Sequence, residues 1–160
     1  NSKASIERRF ERLRPEQIRI LREPFPLAFL PLGAIEWHGP QNPIGLDGLK
    51  AHGICLRVAE RTGGLVFPPL YYGAPPTTRF TDGDDYHPAF AEAYGVPEEN
   101  FLPERFAFPR PVEQWEVYTR LLDETLRMIA RFGFEAIFAL AGHYPMSELN
   151  HICQAFEREQ

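Results

Sequence analysis

The sequence predicts an α/β domain with a mostly parallel sheet, and three observations carry the prediction. Apolar runs at 27–35, 65–70 and 134–141 are typical of strands that are buried on both faces. Helical spacing of apolar residues at 47–61 and 112–133 separates these runs. Strands that alternate with helices are typical of parallel sheets. A chain of 160 residues is long enough for one such domain with a real core.

The first half of the chain reads as a helix followed by a strand–helix–strand unit. Residues 5–22 fit a helical start that is interrupted at Pro15, and the apolar run at 27–35 forms the first strand. Asp47 then caps or opens a helix that runs to residue 61 and stops at Gly63. The run at 65–70 ends in its own prolines. The short connections favour a parallel pair with a right-handed crossover.

The segment 74–111 breaks the pattern, because it has no sustained period and many turn residues. A loop of this length is typical of a lid, a binding loop or an arm that contacts a partner. Its many aromatic residues argue against plain disorder. We expect one or two helical turns at 89–94.

Regular structure returns in the last third of the chain. The helix that starts at Val112 ends at Gly133, and the strand 134–141 follows it. A final helix opens at Ser147 and runs towards the C-terminus.

Composition and charge exclude several functions. The formal net charge of -5 and the absence of a basic run argue against binding to nucleic acid. No apolar stretch is long enough to span a bilayer, and no signal peptide starts the sequence. Cys55 and Cys153 both fall in predicted helices, where free, buried thiols of a reducing compartment are favoured over a disulfide. We therefore expect a cytoplasmic protein that binds neither membrane nor nucleic acid.

Polar side chains follow two of the predicted strands. Glu36 and His38 are two residues apart in extended chain and point the same way, and His143 follows the strand 134–141. Ligand sites of open parallel sheets lie beyond the carboxyl ends of the strands, so these residues and Asp47 should converge there. Carboxylates and imidazoles are ligands of zinc, manganese and iron. The sequence thus predicts a divalent-metal site.

Each residue also has an ordinary structural explanation. A histidine at a strand end can be a satisfied polar group, Glu36 can pair with an arginine, and Asp47 can serve only as a helix cap. His52 and His151 lie inside helices, and we interpret them as packing or surface residues. His87 follows an acidic run that lacks the pattern of a calcium loop.

Two stretches carry a resemblance to a known family. LPLGAIEWHGPQNPIGLDGLKAHGI resembles the opening motif of the creatininase (creatinine amidohydrolase) family, in which a strand is followed by Glu-x-His-Gly and then an aspartate. GFEAIFALAGHYPMSELN resembles the later strand of that family with its Gly-His turn. The resemblance covers roughly 25–73 and 112–155.

The resemblance implies a three-layer α/β/α sandwich that spans 1–160 as a single domain. It also implies a homo-oligomer, often a hexamer, which hydrolyses a C–N bond of a small-molecule amide at two divalent metals. Matched residue by residue, the implied metal ligands are Glu36, His38, Asp47 and His143, with Asp47 bridging. Glu148 is a candidate extra ligand, and Trp37 and Tyr144 would lie beside the substrate. The general acid and base stay unassigned.

The chain also departs from the family pattern. Pro145 stands where creatininase has a ligating glutamate, and the sequence stops at Gln160 before a further His-Ala-Gly motif. A fragment, a shortened relative and a site completed by another chain are all compatible with this. We expect one firmly bound metal and a second that is weak. The alternative is a non-catalytic binding or assembly module that has lost part of the site.

Overall fold

The computed structural model of the chain describes residues 6–35, 37–72, 88–101, 111–143 and 147–159. Helices and strands alternate along it as the sequence predicts. In chain order the elements are a 3-10 helix at Phe10–Arg12, α1 at Pro15–Arg22, β1 at Leu27–Leu32, α2 at Leu46–Thr62, β2 at Leu65–Val66, α3 at Pro88–Tyr94, a second 3-10 helix at Glu98–Phe101, α4 at Pro111–Arg131, β3 at Ala136–Ala141 and α5 at Ser147–Glu159.

The sheet of the described residues has the order β2-β1-β3, and both strand pairs are parallel. β1 lies in the centre, where Ala28 is opposite Leu65 of β2 and Ile137 of β3. The carboxyl ends of β1 and β3 therefore meet at the same edge of the sheet. The prediction of a mostly parallel sheet is confirmed.

The helices cover the two faces of this sheet. Ala28, Leu30 and Leu32 of β1 pack in a core with residues of α4 and α5. On the other face Phe29 packs with Cys55 and Ala59 of α2. The alternation of β1 side chains between two helical layers is that of an α/β/α sandwich, which confirms the fold class.

Strands β1 and β2 are shorter than predicted. β1 ends at Leu32 because Gly33 packs directly against the backbone of Gly48 in α2. Beyond β2, the N–H of Gly33 donates to the carbonyl of Leu70 at 2.9 Å, as part of an isolated parallel bridge between Leu32 and Leu70. β2 has only two residues because the prolines that follow it lack the N–H groups of a ladder.

The helix boundaries agree better with the sequence, except at the N-terminus. There the α-helix begins only at Pro15, the first residue of α1, after an extended Arg14. Gly133, with φ of 81°, follows α4 as predicted. α3 covers the turns expected at 89–94 and the second 3-10 helix follows it, whereas 74–87 and 102–110 of the predicted loop lie outside the described residues. Within the described ranges, no helix is long and apolar enough to cross a membrane.

β3 is more exposed than predicted. Phe138 keeps 51% of its surface exposed, although its ring meets that of Phe29 with centroids 6.0 Å apart. Among the described residues β3 pairs only with β1, so it forms an edge of this sheet. The prediction of a fully buried strand is wrong, because the apolar run does not reveal whether elements cover both sides of it.

The two cysteines are free, as predicted. Cys55 is buried between α2 and the sheet, and Cys153 of α5 packs on the core at the opposite face. Burial raises the pKa of the Cys55 thiol to about 11. That thiol is therefore a small apolar core group at neutral pH.

Adjacent leucines on α4 test the position of the core. Leu122 is completely buried, whereas Leu121 is 42% exposed. We expect Leu122→Ala to lower the free energy of unfolding by about 2–5 kcal/mol, since it leaves a cavity. Leu121→Ala, the matched control, should cost less than about 1 kcal/mol. Urea denaturation measures both, and equal losses would contradict the packing of α4.

Candidate metal centre

Asp47 is the buried charge around which the site is built. It lies in the first turn of α2, and only 3% of its surface is exposed. The N-cap position belongs to Gly45, so of the two predicted roles Asp47 opens α2 and does not cap it. The carboxylate still lies at the positive end of the helix dipole, which stabilises its charge.

Two histidines contact the two oxygens of this carboxylate. Nδ1 of His143 lies 3.0 Å from Oδ2, and Nε2 of His38 lies 3.4 Å from Oδ1. His143 lies two residues after the end of β3, and His38 lies six residues after the end of β1, so two adjacent parallel strands lead to the imidazoles at one edge of the sheet. The structure thus brings three of the four predicted ligands together.

The turn after β1 holds His38 in place. Gly39 adopts a φ of 81°, which lets the chain reverse directly after the histidine. The side chain of Asn42 donates to the carbonyl of His38 at 2.7 Å. The imidazole therefore extends from a braced turn and not from a free loop.

Lys50 is a neighbour of Asp47 that the sequence analysis missed. Its Nζ lies 3.3 Å from Oδ1 of Asp47, one helical turn away, and its side chain is 51% exposed. The spacing of three residues on a helix was the available signal, because side chains at this spacing lie on the same face.

Glycines allow the backbone elements to approach closely enough to form the site. A Cβ on Gly142 would overlap the carbonyl of Asp47, and one on Gly48 would overlap the ring of Tyr71. Burial raises the pKa of Tyr71, in agreement with its packing under α2. The N-terminus of α2 is therefore pressed against the end of β3.

The remaining predicted residues have different outcomes. Glu36, Tyr144 and His87 lie outside the described residues, as does the side chain of Glu148. Trp37 is described, and its ring meets that of Tyr94 from α3 with centroids 5.8 Å apart.

The two histidines inside helices are as interpreted from the sequence. His151 is exposed on α5. His52 is partly buried on α2, and burial lowers its pKa. We assign neither of them to the metal site.

The chemistry of these side chains fits a divalent metal. Imidazole nitrogen and carboxylate oxygen are donors that zinc, manganese and iron accept. Two ligands at about 2.1 Å from a tetrahedral ion are about 3.4 Å apart, close to the separations of the two imidazoles from Asp47. Among the described residues, however, no group of three or more such side chains is arranged to hold an ion. A complete ligand set therefore needs a further donor.

Comparison with known proteins identifies relatives of the chain. The family model for creatinine amidohydrolase (Creatininase) matches residues 11–84. Creatinine amidohydrolase of Pseudomonas putida is 29% identical over 118 residues, which are 74% of this chain and 37% of that protein. The 3-dehydro-scyllo-inosose hydrolase of Thermotoga maritima is 34% identical over 67 residues, which are 42% of this chain and 22% of that protein.

The fold matches solved structures over nearly its whole length. A crystal structure of creatinine amidohydrolase (creatininase) superposes on this chain with a TM-score of 0.67 at 24% identity. The superposition covers 97% of this chain and 52% of the creatininase chain. The W174F mutant of creatininase gives the same TM-score over 96% of this chain. The chain thus has the fold of these proteins and spans about half of their length.

A glycine pair tests the close approach at the site. We expect Gly142→Ala to lower the free energy of unfolding by about 1–3 kcal/mol, since the added methyl group meets the backbone of Asp47. The matched control is Gly53→Ala, because a Cβ at Gly53 meets nothing within 4 Å. In the middle of α2 that change should stabilise by about 0.5–1 kcal/mol. If urea denaturation gave changes of the same sign in the free energy of unfolding for both variants, the packing of α2 on the end of β3 would be contradicted.

Proposed function

The chain is a relative of the creatininase family, and we propose that it is a metal-dependent amidohydrolase that cleaves a C–N amide bond of a small molecule. The observation that carries the proposal is the buried Asp47 carboxylate between His38 and His143, at the carboxyl ends of two parallel strands. A buried carboxylate is costly unless it is paired or coordinates a metal. The two imidazoles are suited to share such an ion with it.

The proposed ligands are Glu36, His38, Asp47 and His143, with zinc, manganese or iron as the metal. Each oxygen of Asp47 faces a different imidazole, which supports a bridging role between two ions. Glu36 lies two residues before His38 and is the nearest further donor in sequence, and Glu148 is the other candidate. One or two ions per chain follow from this set.

The chain's own residues position the reactants. When bound, the metal supplies Lewis-acid activation of a water molecule and of the amide carbonyl. Asp47 orients both imidazoles, and its near-complete burial keeps their contacts in a medium of low dielectric. The ring of Trp37 packs on that of Tyr94. Trp37 precedes His38 in sequence and Tyr144 follows His143, and we propose that Trp37 and Tyr144 flank the substrate.

The names of two relatives support the proposed substrate class: one is named for creatinine and another for 3-dehydro-scyllo-inosose. Hydrolysis of a small molecule is common to the two names. We therefore place a small amide first, with creatinine as the first compound to test.

We further propose a cytoplasmic homo-oligomer, a hexamer by resemblance, built from residues 1–160 as one domain. Two free thiols support the reducing compartment. Phe138 on β3 and Ile54 and Val58 on α2 keep about half or two-fifths of their surfaces exposed, which supports contact with further protein. Membrane and nucleic acid are not among the proposed partners.

A second candidate is a non-catalytic binding or assembly module with the same fold. Pro145 in place of the family's glutamate favours it. Metal content and turnover separate the two candidates.

Metal content is the first measurement. Protein purified without chelators should hold close to one zinc, manganese or iron ion per chain by plasma mass spectrometry. His143→Ala should reduce the content at least tenfold, because it removes a ligand of the firm site. His151→Ala is the control, since His151 is exposed on α5. The absence of metal after soaking in excess salt would contradict the metal site.

Turnover tests the amidohydrolase itself. Metal-loaded protein should hydrolyse creatinine or another small cyclic amide, and a chelator should abolish the activity. His38→Ala should lower kcat by about 10- to 100-fold, since it removes an imidazole that contacts the carboxylate of Asp47. The compounds to be tested also include 3-dehydro-scyllo-inosose. A metal-loaded chain without turnover on any member would support the binding module.

A further inference from the structure

The two oxygens of Asp47 have unequal surroundings. Oδ2 faces the imidazole of His143 at 3.0 Å. Oδ1 faces the imidazole of His38 at 3.4 Å and also the ammonium of Lys50 at 3.3 Å. A positively charged side chain therefore lies on one side of the carboxylate. On the His143 side, the partner is an imidazole that is neutral when it binds a metal.

The ammonium supplies compensation for a buried charge. The side chain of Asp47 is 5% exposed, so water solvates its carboxylate poorly. Lys50 reaches it with Nζ while half of its own side chain stays in solvent. A cation bound at Oδ1 would meet this ammonium at close range, where like charges repel. Metal and ammonium are therefore alternatives at that oxygen.

We propose that Lys50 determines how many metal ions the chain holds, because its ammonium takes the place of the second cation at Oδ1 of Asp47. The ion beside His143 and Oδ2 then binds firmly, and one beside His38 and Oδ1 binds only when Lys50 moves away. The inference rests on the proposed metal site. It adds a residue that selects between one and two ions.

The character of lysine suits this role. Its ammonium is a compact point charge on a flexible four-carbon stem, whereas arginine forms rigid paired contacts with carboxylates. The contact with Asp47 is a single one, and the half-exposed stem can place the ammonium in solvent. Lys50 can thus be displaced at a high metal concentration without a change in α2.

The test removes the charge and keeps the stem. In Lys50→Met, calorimetric titration with Mn²⁺ or Zn²⁺ and plasma mass spectrometry after dialysis should show a second ion per chain, or a weaker site tightened about two- to fivefold. That range is the size expected for loss of one partly exposed ion pair. Lys50→Arg keeps the charge and should behave as the parent.

Arg57→Met is the matched control. It removes one positive charge from the same helix, at an exposed position about 10 Å further along the axis. It should leave stoichiometry and affinity as in the parent, which excludes a general effect of net charge. Circular dichroism checks that all variants keep the parent's helix content.

The outcomes distinguish the role of Lys50 from the existence of the metal site. If Lys50→Met bound the same number of ions with the same affinity as Arg57→Met, the role of Lys50 would be overturned while the metal site stood. If neither the parent nor any variant bound metal, the proposed function would fall and the inference with it. A gain of the second ion in Arg57→Met as well would also overturn the assignment to Lys50.

Discussion

The close approach of α2 to the ends of β1 and β3 is the constraint on which the site depends. Gly33 packs on Gly48, and Gly142 packs on the backbone of Asp47, so no side chain separates the helix from the strand ends. A helix held one side chain further away would leave the Asp47 carboxylate beyond reach of both imidazoles. The glycines therefore decide the chemistry of the site through backbone distance, although none of them is a metal donor.

The buried carboxylate then organises the charges around it. Its oxygens are divided between His143 on one side and His38 with Lys50 on the other. A bridging carboxylate in a two-metal site would be expected to have similar surroundings at both oxygens. Here one oxygen already has an ammonium as a neighbour, and the other has none among the described contacts.

The relation to creatininases concerns the fold more than the reaction. The chain superposes on about half of a solved creatininase, and the family model covers its first part, which includes His38 and Asp47. The described sheet has an edge at β3, where Phe138 is half exposed beside the helix that carries Asp47. Surface of this kind marks contact with further protein in many enzymes. The site and this exposed surface thus lie on the same two elements.

The sequence by itself determined the alternation of strands and helices and the meeting of His38, Asp47 and His143. Apolar runs indicate burial, and helical spacing indicates which residues share one face of a helix. Parallel strands necessarily bring their carboxyl ends to one edge of the sheet. Only the tertiary structure decided that Asp47 faces the imidazoles and does not cap α2, that Lys50 shares its oxygen, and that β3 is partly exposed. The physical reason is distance along the chain. Asp47 and His143 are 96 residues apart, and a contact of 3.0 Å between them depends on strand register and helix placement, which no local pattern reports.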